Sequence, residues 1–415
     1  MEFLRHTLAN GLEVLAERNE KAYSTAIGYF VKTGARDESL DVWGVSHFLE
    51  HMVFKGTLLR SADDVNRELD AIGSHSNAYT SEEQTVYHAV VLPEYVDRTV
   101  DLLSDLMRPA LRAEDLETEK QVILEEIAKY DDQPPFGAFE KAMALHFESH
   151  SLGRSVLGTR ESIIALGVEP MRRFHATQYS PRNMALVATG NVDFEQLVAL
   201  AERHAGGWPA FEGRRDPTRA RRVPSEARTR VVRHPLASQQ YVILVSDGPA
   251  ADDAARHAGR LLATILGDDT GSRMFWDLVD TGRAECAAMG SHEFQGTGLF
   301  LSYLCCESDD ASSNLDRMRT VFADAHRRGV TLDELDRVKS KICSHIVLSS
   351  ERAANRLFAV GGAWLTRNEY RTVREVVDAY QRVTLDDIHA LLDQFPLTRH
   401  TVCAVGPLER IPSLA

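Results

Sequence analysis

Residues 44–57 read GVSHFLEHMVFKGT and carry two histidines four positions apart, His47 and His51, with Glu50 immediately before the second. On an α-helix, side chains four positions apart lie on one face, so both imidazoles can reach a single ion. The Glu50 carboxylate can point to the rim of that face. Zinc binds imidazole nitrogen, and its catalytic sites usually combine three protein ligands with a water. The stretch therefore indicates two zinc ligands or, alternatively, a helix with two solvated histidines.

A third ligand has to come from another element. Residues 113–135, AEDLETEKQVILEEIAKYDDQPP, predict a long helix with several acidic side chains. Glu119 and Glu126 are seven positions apart and share a face, whereas Glu125 points about 100° away. Acidic residues on helices are ordinarily solvated, so the spacing alone makes Glu126 a candidate ligand and no more.

The chain of 415 residues is long enough for two domains. Residues 207–233 contain three prolines and eight arginines with almost no apolar periodicity, which is typical of a linker. We therefore predict an N-terminal metal-binding catalytic domain at 1–212, an Arg- and Pro-rich linker at 213–230 and a similar C-terminal domain without metal at 231–415. The arginine run lacks the interleaved aromatic residues of a nucleic-acid site, so a solvated connector is the better interpretation.

The two halves end alike, which suggests a duplicated unit. Residues 181–192 (PRNMALVATGNV) and 396–408 (PLTRHTVCAVGPL) each run from a proline through a short apolar strand to a glycine turn, and an amphipathic helical pattern precedes each. Elsewhere, strand patterns alternate with helical ones; one helix is predicted to follow Ser61 as N-cap, with Asp64 at the capping-box position. The sequence therefore predicts a mixture of helices and strands.

The net charge of −14 argues against duplex nucleic acid or an anionic membrane as the main partner, because both attract dense Lys and Arg. No apolar run reaches the roughly 18 residues of a membrane span, and the N-terminus has no signal-peptide core. The five cysteines show no CxxC spacing and fit reduced thiols. We expect a cytoplasmic protein.

The segment HFLEHMVFKGT closely resembles the inverted HxxEH zinc-peptidase motif of the pitrilysin and insulinase family, especially its mitochondrial processing peptidase branch. Further segments resemble that family in the same order, at residues 77–88, 117–127, 150–163 and 179–192. The resemblance implies an α+β fold with two homologous α/β-sandwich halves. Each half is expected to pack a mixed, mostly antiparallel sheet against helices.

The resemblance also assigns the third zinc ligand. It places this ligand at Glu126 and a supporting carboxylate at Glu119, in agreement with the shared helical face. With zinc held by His47, His51 and Glu126, the open position carries a water that attacks a peptide carbonyl. Glu50 is expected to act as the general base for that water. The implied activity is a zinc-dependent endopeptidase acting on peptides or unfolded polypeptide segments.

Residues 74–88, SHSNAYTSEEQTVYH, alternate as a strand and are expected to bind the substrate. An edge strand pairs with an extended peptide through its backbone and makes little demand on peptide sequence. By resemblance this strand lies beside the zinc. Asn77, Ala78 and Glu83 are the substrate-binding residues that the resemblance implies.

The second half departs from the family pattern. Active members have an arginine and a tyrosine there that grip the substrate, whereas this chain has Val279 at the arginine position and Glu285 or Cys286 at the tyrosine position. Either other contacts replace this pair or a partner subunit supplies it. We expect a homodimer, or a heterodimer with a related subunit.

Two other classes of function are compatible with the sequence. A non-catalytic or partner-dependent assembly subunit of the same fold is one, although such chains typically lose the metal motif. An imidazole-rich metal store or sensor is the other, but it needs neither Glu50 nor a peptide-binding strand.

Overall fold

The structure, a computed structural model, describes residues 1–211 and 227–414. Residues 213–226 of the predicted linker lie outside the described residues, and its last two residues already belong to a strand. The predicted domain boundaries divide the chain into two similar halves along its sequence, and they stay a prediction.

The chain forms two compact units, and each unit is assembled from three segments. The first unit comprises Met1–Ile127, Ser155–Arg215 and Leu348–Thr372. The second comprises Ala128–Arg154, Asp216–Val347 and Val373–Ala415. Each half of the chain therefore gives one segment to the unit that is built mainly from the other half.

The first unit is built on a six-stranded sheet in the order β1-β2-β6-β3-β5-β4. Its strands are β1 (Glu2–Thr7), β2 (Glu13–Arg18), β3 (Thr25–Val31), β4 (His75–Thr80), β5 (Thr85–Val91) and β6 (Met184–Gly190). Its helices are α1 (Val45–Val53), α2 (Ala62–Ala71), α3 (Val96–Leu106), most of α4 (Ala113–Asp131), α6 (Arg160–Ala165), α7 (Val168–Gln178), α8 (Phe194–Ala205) and α12 (Ala353–Arg367).

The second unit is built on a five-stranded sheet in the order β7-β11-β8-β10-β9. Its strands are β7 (Thr229–Arg233), β8 (Gln240–Gly248), β9 (Cys286–Phe294), β10 (Thr297–Cys306) and β11 (Thr401–Gly406). Its helices are α5 (Pro134–Phe147), α9 (Arg256–Gly267), α10 (Ala311–Arg328), most of α11 (Leu332–Ser349), α13 (Val373–Gln381) and α14 (Leu385–Gln394). Among the described residues, no helix combines the length and apolar character needed to cross a bilayer.

The two sheets have the same topology once β1 is set aside. The order β2-β6-β3-β5-β4 of the first sheet corresponds strand for strand to β7-β11-β8-β10-β9 of the second. In both, the first pair of this series is parallel and the following pairs are antiparallel. The predicted fold, two similar halves with mixed, mostly antiparallel sheets packed against helices, is confirmed.

The central strands of the first sheet are buried at every position, so the sheet needs apolar cover on both faces. One face packs against α1, α3 and α8 in the main core. The other face is covered by α12, which comes from the second half of the chain. Gly361 allows this helix to come close, because a Cβ atom there would lie 2.4 Å from the Phe30 ring.

Helix α5 of the first half covers a face of the second sheet in the corresponding way. The buried residues that it contributes are Ala138, Ala142, Met143 and Phe147, which cluster with strand residues that include Ile243, Val245 and Cys403. His146 adds a polar contact, because its Nε2 lies 3.4 Å from Asp247 Oδ1 while the side chain is only 4% exposed. Each sheet is therefore covered on one face by a helix from the other half of the chain.

A buried ion pair holds α12 on the first sheet. Arg356 Nε donates to Glu17 Oε1 at 2.7 Å, Arg356 Nη2 also bonds this carboxylate, and the Tyr370 hydroxyl donates to Glu17 Oε2 at 2.8 Å. Glu17 is 2% and Arg356 7% exposed, so both charges depend on each other for solvation.

We expect Arg356→Met to lower the free energy of unfolding by about 3–5 kcal/mol, because it leaves the Glu17 carboxylate buried without its cation. Urea unfolding followed by circular dichroism measures the change. Arg18→Met serves as the control, since its partner Glu20 is largely exposed; this variant should stay within about 0.5 kcal/mol of wild type. Equal losses in the two variants would contradict the assignment.

Candidate metal centre

Helix α1 carries both histidines of the motif, as the sequence predicts. The helix is fixed by its apolar face, whose buried residues are Val45, Phe48, Leu49, Met52 and Val53. On the other side His47 is buried and His51 is half-buried, with their ring centroids 4.7 Å apart. The core packing of α1 therefore determines where both imidazoles point.

Helix α4 brings Glu126 to the same place. Its Oε2 atom lies 3.7 Å from Nε2 of His47 and 3.7 Å from Nε2 of His51. These separations are too long for hydrogen bonds. All three ligand atoms nevertheless lie within 4.8 Å of one another. Two imidazole nitrogens and one carboxylate oxygen form a donor set that suits zinc, and the three residues fit such an ion.

Glu119 contacts one of the three candidate ligands, His51, and does not belong to the cluster itself. Its Oε1 is 2.8 Å from Nδ1 of His51, which assigns the ring proton to Nδ1 and leaves Nε2 free to bind a metal. Lys55 Nζ lies 2.5 Å from the other carboxylate oxygen. Burial acts to raise the pKa of Glu119, but the hydrogen bonds from Lys55 and His51 outweigh it and lower this pKa. Lys55, which was not predicted from the sequence, lies in the turn two residues beyond the end of α1.

The ring of His47 is held in its neutral form. Burial lowers the pKa of His47 to about 3, and the neighbouring His51 acts in the same direction. A metal-binding imidazole must be unprotonated, so this surrounding favours metal binding over proton binding at neutral pH.

Glu50 lies beside the three candidate ligands and is not one of them. Its Oε2 accepts a hydrogen bond of 2.5 Å from Thr80 Oγ1 at the end of β4. Burial raises the pKa of Glu50, and the Thr80 hydrogen bond partly opposes this rise. A carboxylate with a raised pKa is a stronger proton acceptor, which is the property that a general base requires. Thr80 had no sequence signal of its own, because its role depends on the position of α1.

Asn77 and Ala78 lie on β4, the edge strand of the first sheet. Ala78 faces Tyr87 across the β4–β5 ladder, and its N–H donates to Oδ1 of Asn77 at 2.9 Å. Because Ser81 N–H bonds to Gln84 O and hydrogen-bonded pairs alternate along an antiparallel ladder, Ala78 and Tyr87 form a non-hydrogen-bonded pair. This N–H is therefore directed away from the sheet, and the adjacent side chain satisfies it. Its position at an edge suits it to backbone pairing with another chain.

Glu83 lies in the turn between β4 and β5. It is 7% exposed and forms an ion pair with Arg36, which is 2% exposed. The structure therefore gives this carboxylate a buried partner, and its contact with a substrate stays a prediction.

The three positions of interest in the second half belong to the second unit. Val279 ends a π-helix, Phe275–Val279, and packs against that unit's core. Glu285 is exposed and bonds to Gln239, while Cys286 begins the edge strand β9.

Two family descriptions match this chain. The first, Insulinase (Peptidase family M16), matches residues 13–160 and includes the complete motif and Glu126. The second, Peptidase M16 inactive domain, matches residues 165–342. Together they cover most of the chain.

Curated relatives align with nearly its whole length. A Mycobacterium tuberculosis protein that is named an uncharacterized zinc protease is 32% identical over 409 residues, which covers 97% of this chain and 93% of the relative. The beta subunit of the mitochondrial-processing peptidase of Lentinula edodes is 30% identical and covers 94% of this chain and 86% of its own length.

Solved structures share the fold at lower identity. A protease from Helicobacter pylori superposes with a TM-score of 0.91 at 21% identity, covering 98% of this chain and 99% of the other. A chain of complex III2 from Candida albicans gives a TM-score of 0.84 at 16% identity, with coverages of 98% and 96%. These structures show a shared fold, while the family matches and the curated relatives establish that the chain belongs to the insulinase family of peptidases, family M16.

Proposed function

We propose that the chain is a zinc-dependent endopeptidase that hydrolyses peptides or unfolded polypeptide segments. The observation that carries this proposal is the convergence of His47, His51 and Glu126 beside a carboxylate, Glu50, that is not one of the three clustered ligands. A metal store has no need for such a base. The zinc protease relatives support the same activity.

The residues of the candidate site would have separate roles in metal binding and proton transfer. His47, His51 and Glu126 would hold the metal, and Glu119 would keep His51 in the Nδ1–H tautomer. When bound, zinc supplies a Lewis acid that acidifies a water and polarises a peptide carbonyl. Glu50 would accept the proton of that water and pass it to the leaving amine. The Thr80 hydroxyl orients the Glu50 carboxylate for both transfers.

The substrate would bind as an extended strand along β4. Backbone pairing at an edge gives affinity without a strict sequence preference, which suits a peptidase that acts on unfolded segments. Ala78 offers an N–H that points away from β5, and an incoming carbonyl would displace Asn77 Oδ1 from it. Asn77 and Ala78 are therefore the proposed substrate contacts, and Glu83 is kept as the third.

A second candidate, a partner-dependent assembly subunit, is favoured by one specific observation. The expected substrate-gripping arginine and tyrosine are absent at Val279 and at Glu285 or Cys286. One relative is named as a subunit of a processing peptidase, and one structural neighbour belongs to complex III2. We therefore propose that the chain works as a homodimer or with a related subunit. A cytoplasmic location, which fits its five free cysteines, belongs to the same proposal.

Glu50→Gln should retain zinc and lower kcat by at least about a hundredfold, because it removes the base and leaves all three ligands in place. His51→Ala should lose both zinc and activity. Metal analysis by mass spectrometry combined with a peptide-library digest, with and without a chelator, measures both properties. Cleavage by Glu50→Gln at the wild-type rate would refute the assignment of the base. Zinc without cleavage in the wild type would favour the partner-dependent alternative, and absence of zinc would favour the scaffold.

Glu119→Gln should weaken zinc binding by about 10- to 100-fold, because an amide holds the His51 tautomer less firmly than a carboxylate does. Competition with a chromogenic chelator measures the affinity. Glu125→Gln is the matched control, since this neighbouring carboxylate on α4 is exposed and should leave the affinity unchanged. A wild-type affinity in Glu119→Gln would remove Glu119 from the site.

Ala78→Pro should raise KM for peptide substrates by about tenfold, the loss expected for one backbone hydrogen bond, while zinc content stays at the wild-type level. Proline lacks the N–H but is tolerated at an edge position whose N–H faces away from the ladder. Ala78→Ser retains the N–H and serves as the control. Steady-state kinetics that show an unchanged KM in the proline variant would rule out substrate pairing at this position.

A further inference from the structure

Residues Gly34–Glu38, GARDE, connect β3 to the region before α1 and have no part in the proposed chemistry. Glu38 is nevertheless 0% exposed. Burying a carboxylate costs several kcal/mol unless hydrogen bonds replace its lost water. The position of Glu38 therefore requires donors inside the protein.

The donors are backbone amides at the start of α1. Glu38 Oε2 accepts from the N–H of Gly44 and Oε1 accepts from the N–H of Ser46, both at 2.7 Å. Amides in the first turn of a helix have no carbonyl of their own helix to bind, so the oxygens of Glu38 supply the missing acceptors. Burial raises the pKa of Glu38 to about 8, while the two amide bonds oppose the rise.

The N-cap residue of α1 has no side chain that could accept hydrogen bonds from these amides. Gly44 has a φ of +91°, and a Cβ atom there would lie 2.8 Å from Ile163 Cδ1 and 2.9 Å from Leu157 O. A serine or aspartate, the usual capping residues, would not fit. A carboxylate from six residues earlier in the chain takes the place of the local cap.

The segment that carries Glu38 is itself held by the β4–β5 turn. The N–H of Ala35 bonds to Ser81 O at 3.2 Å, and that of Arg36 bonds to Glu82 O at 2.8 Å. Gly34 permits this contact, since a Cβ atom there would lie 2.2 Å from Ser81 O. Together with the buried pair of Arg36 and Glu83, these contacts fix the loop and therefore the capping carboxylate.

We propose that Glu38 is a positioning residue for the metal site, acting through the first turn of α1. His47 follows the anchored Ser46 directly and is the third residue of the helix, so its backbone lies within the turn that Glu38 closes. His51 lies a full turn further along and is held by Glu119. The cap therefore controls His47 in particular, and this inference rests on the proposed role of His47 as a zinc ligand.

The test compares Glu38→Gln, which keeps one acceptor oxygen, with Glu38→Met, which keeps none. Zinc affinity is measured by chelator competition, and amide hydrogen exchange of residues 44–48 is measured in the metal-free protein. We expect Glu38→Gln to weaken zinc binding by about tenfold or more, the range seen when a support of a metal ligand is removed, with a larger loss in Glu38→Met. Exchange in the first turn should become faster in the same order.

Arg356→Met is the matched control, because it breaks a buried ion pair on the opposite face of the same sheet without touching α1. It should lower stability but leave zinc affinity within about twofold of wild type. Wild-type affinity and wild-type exchange in the Glu38 variants would overturn the inference, and so would an equal loss of affinity in Arg356→Met. A wild type that binds no zinc would refute the proposed function, whereas the exchange rates would still decide whether Glu38 holds the first turn.

Discussion

The central strands β3 and β6 are buried along their whole length, and the rest of the first unit follows from the need to cover both faces of their sheet. Helices of the same half supply one layer, and α1 in that layer carries the two histidines. A helix from the other half supplies the opposite layer. The proposed metal ligands are thus supported by a sheet that is packed on both sides.

Buried charges specify how the covering elements are placed. Apolar surface alone allows a helix to shift along a sheet, whereas an ion pair such as that of Glu17 and Arg356 is satisfied in one arrangement. For α5, His146 and Asp247 supply a polar contact, although Asp247 is partly exposed. In the candidate metal centre, one oxygen of Glu119 contacts His51 and the other contacts Lys55. Paired polar or charged side chains therefore fix both the candidate site and the packing of α5 and α12.

Much of the site could be predicted from the sequence, because spacing along a helix translates directly into a shared face. The pairs His47 with His51 and Glu119 with Glu126 are of this kind. The capping box of Ser61 and Asp64 also forms as the sequence predicts, since it depends on neighbouring residues alone.

The remaining features depend on contacts between distant parts of the chain. An amphipathic pattern shows that one face of α5 or α12 is apolar, but it does not show which sheet that face will cover. Thr80 and Glu38 look like ordinary solvated polar residues in the sequence. Their roles arise only when β4 and the loop before α1 come together with the helix.

The exchange of helices sets an order for folding during synthesis. Helix α5 leaves the ribosome before any strand of the sheet that it covers, so the second unit has this layer ready in advance. In the first unit the order of synthesis is reversed, because its sheet is complete at Gly190 but its outer helix begins only at Ala353. One apolar face of that sheet is therefore exposed while more than a third of the chain is still being made. That interval is when the nascent protein is most open to misassembly and to chaperones.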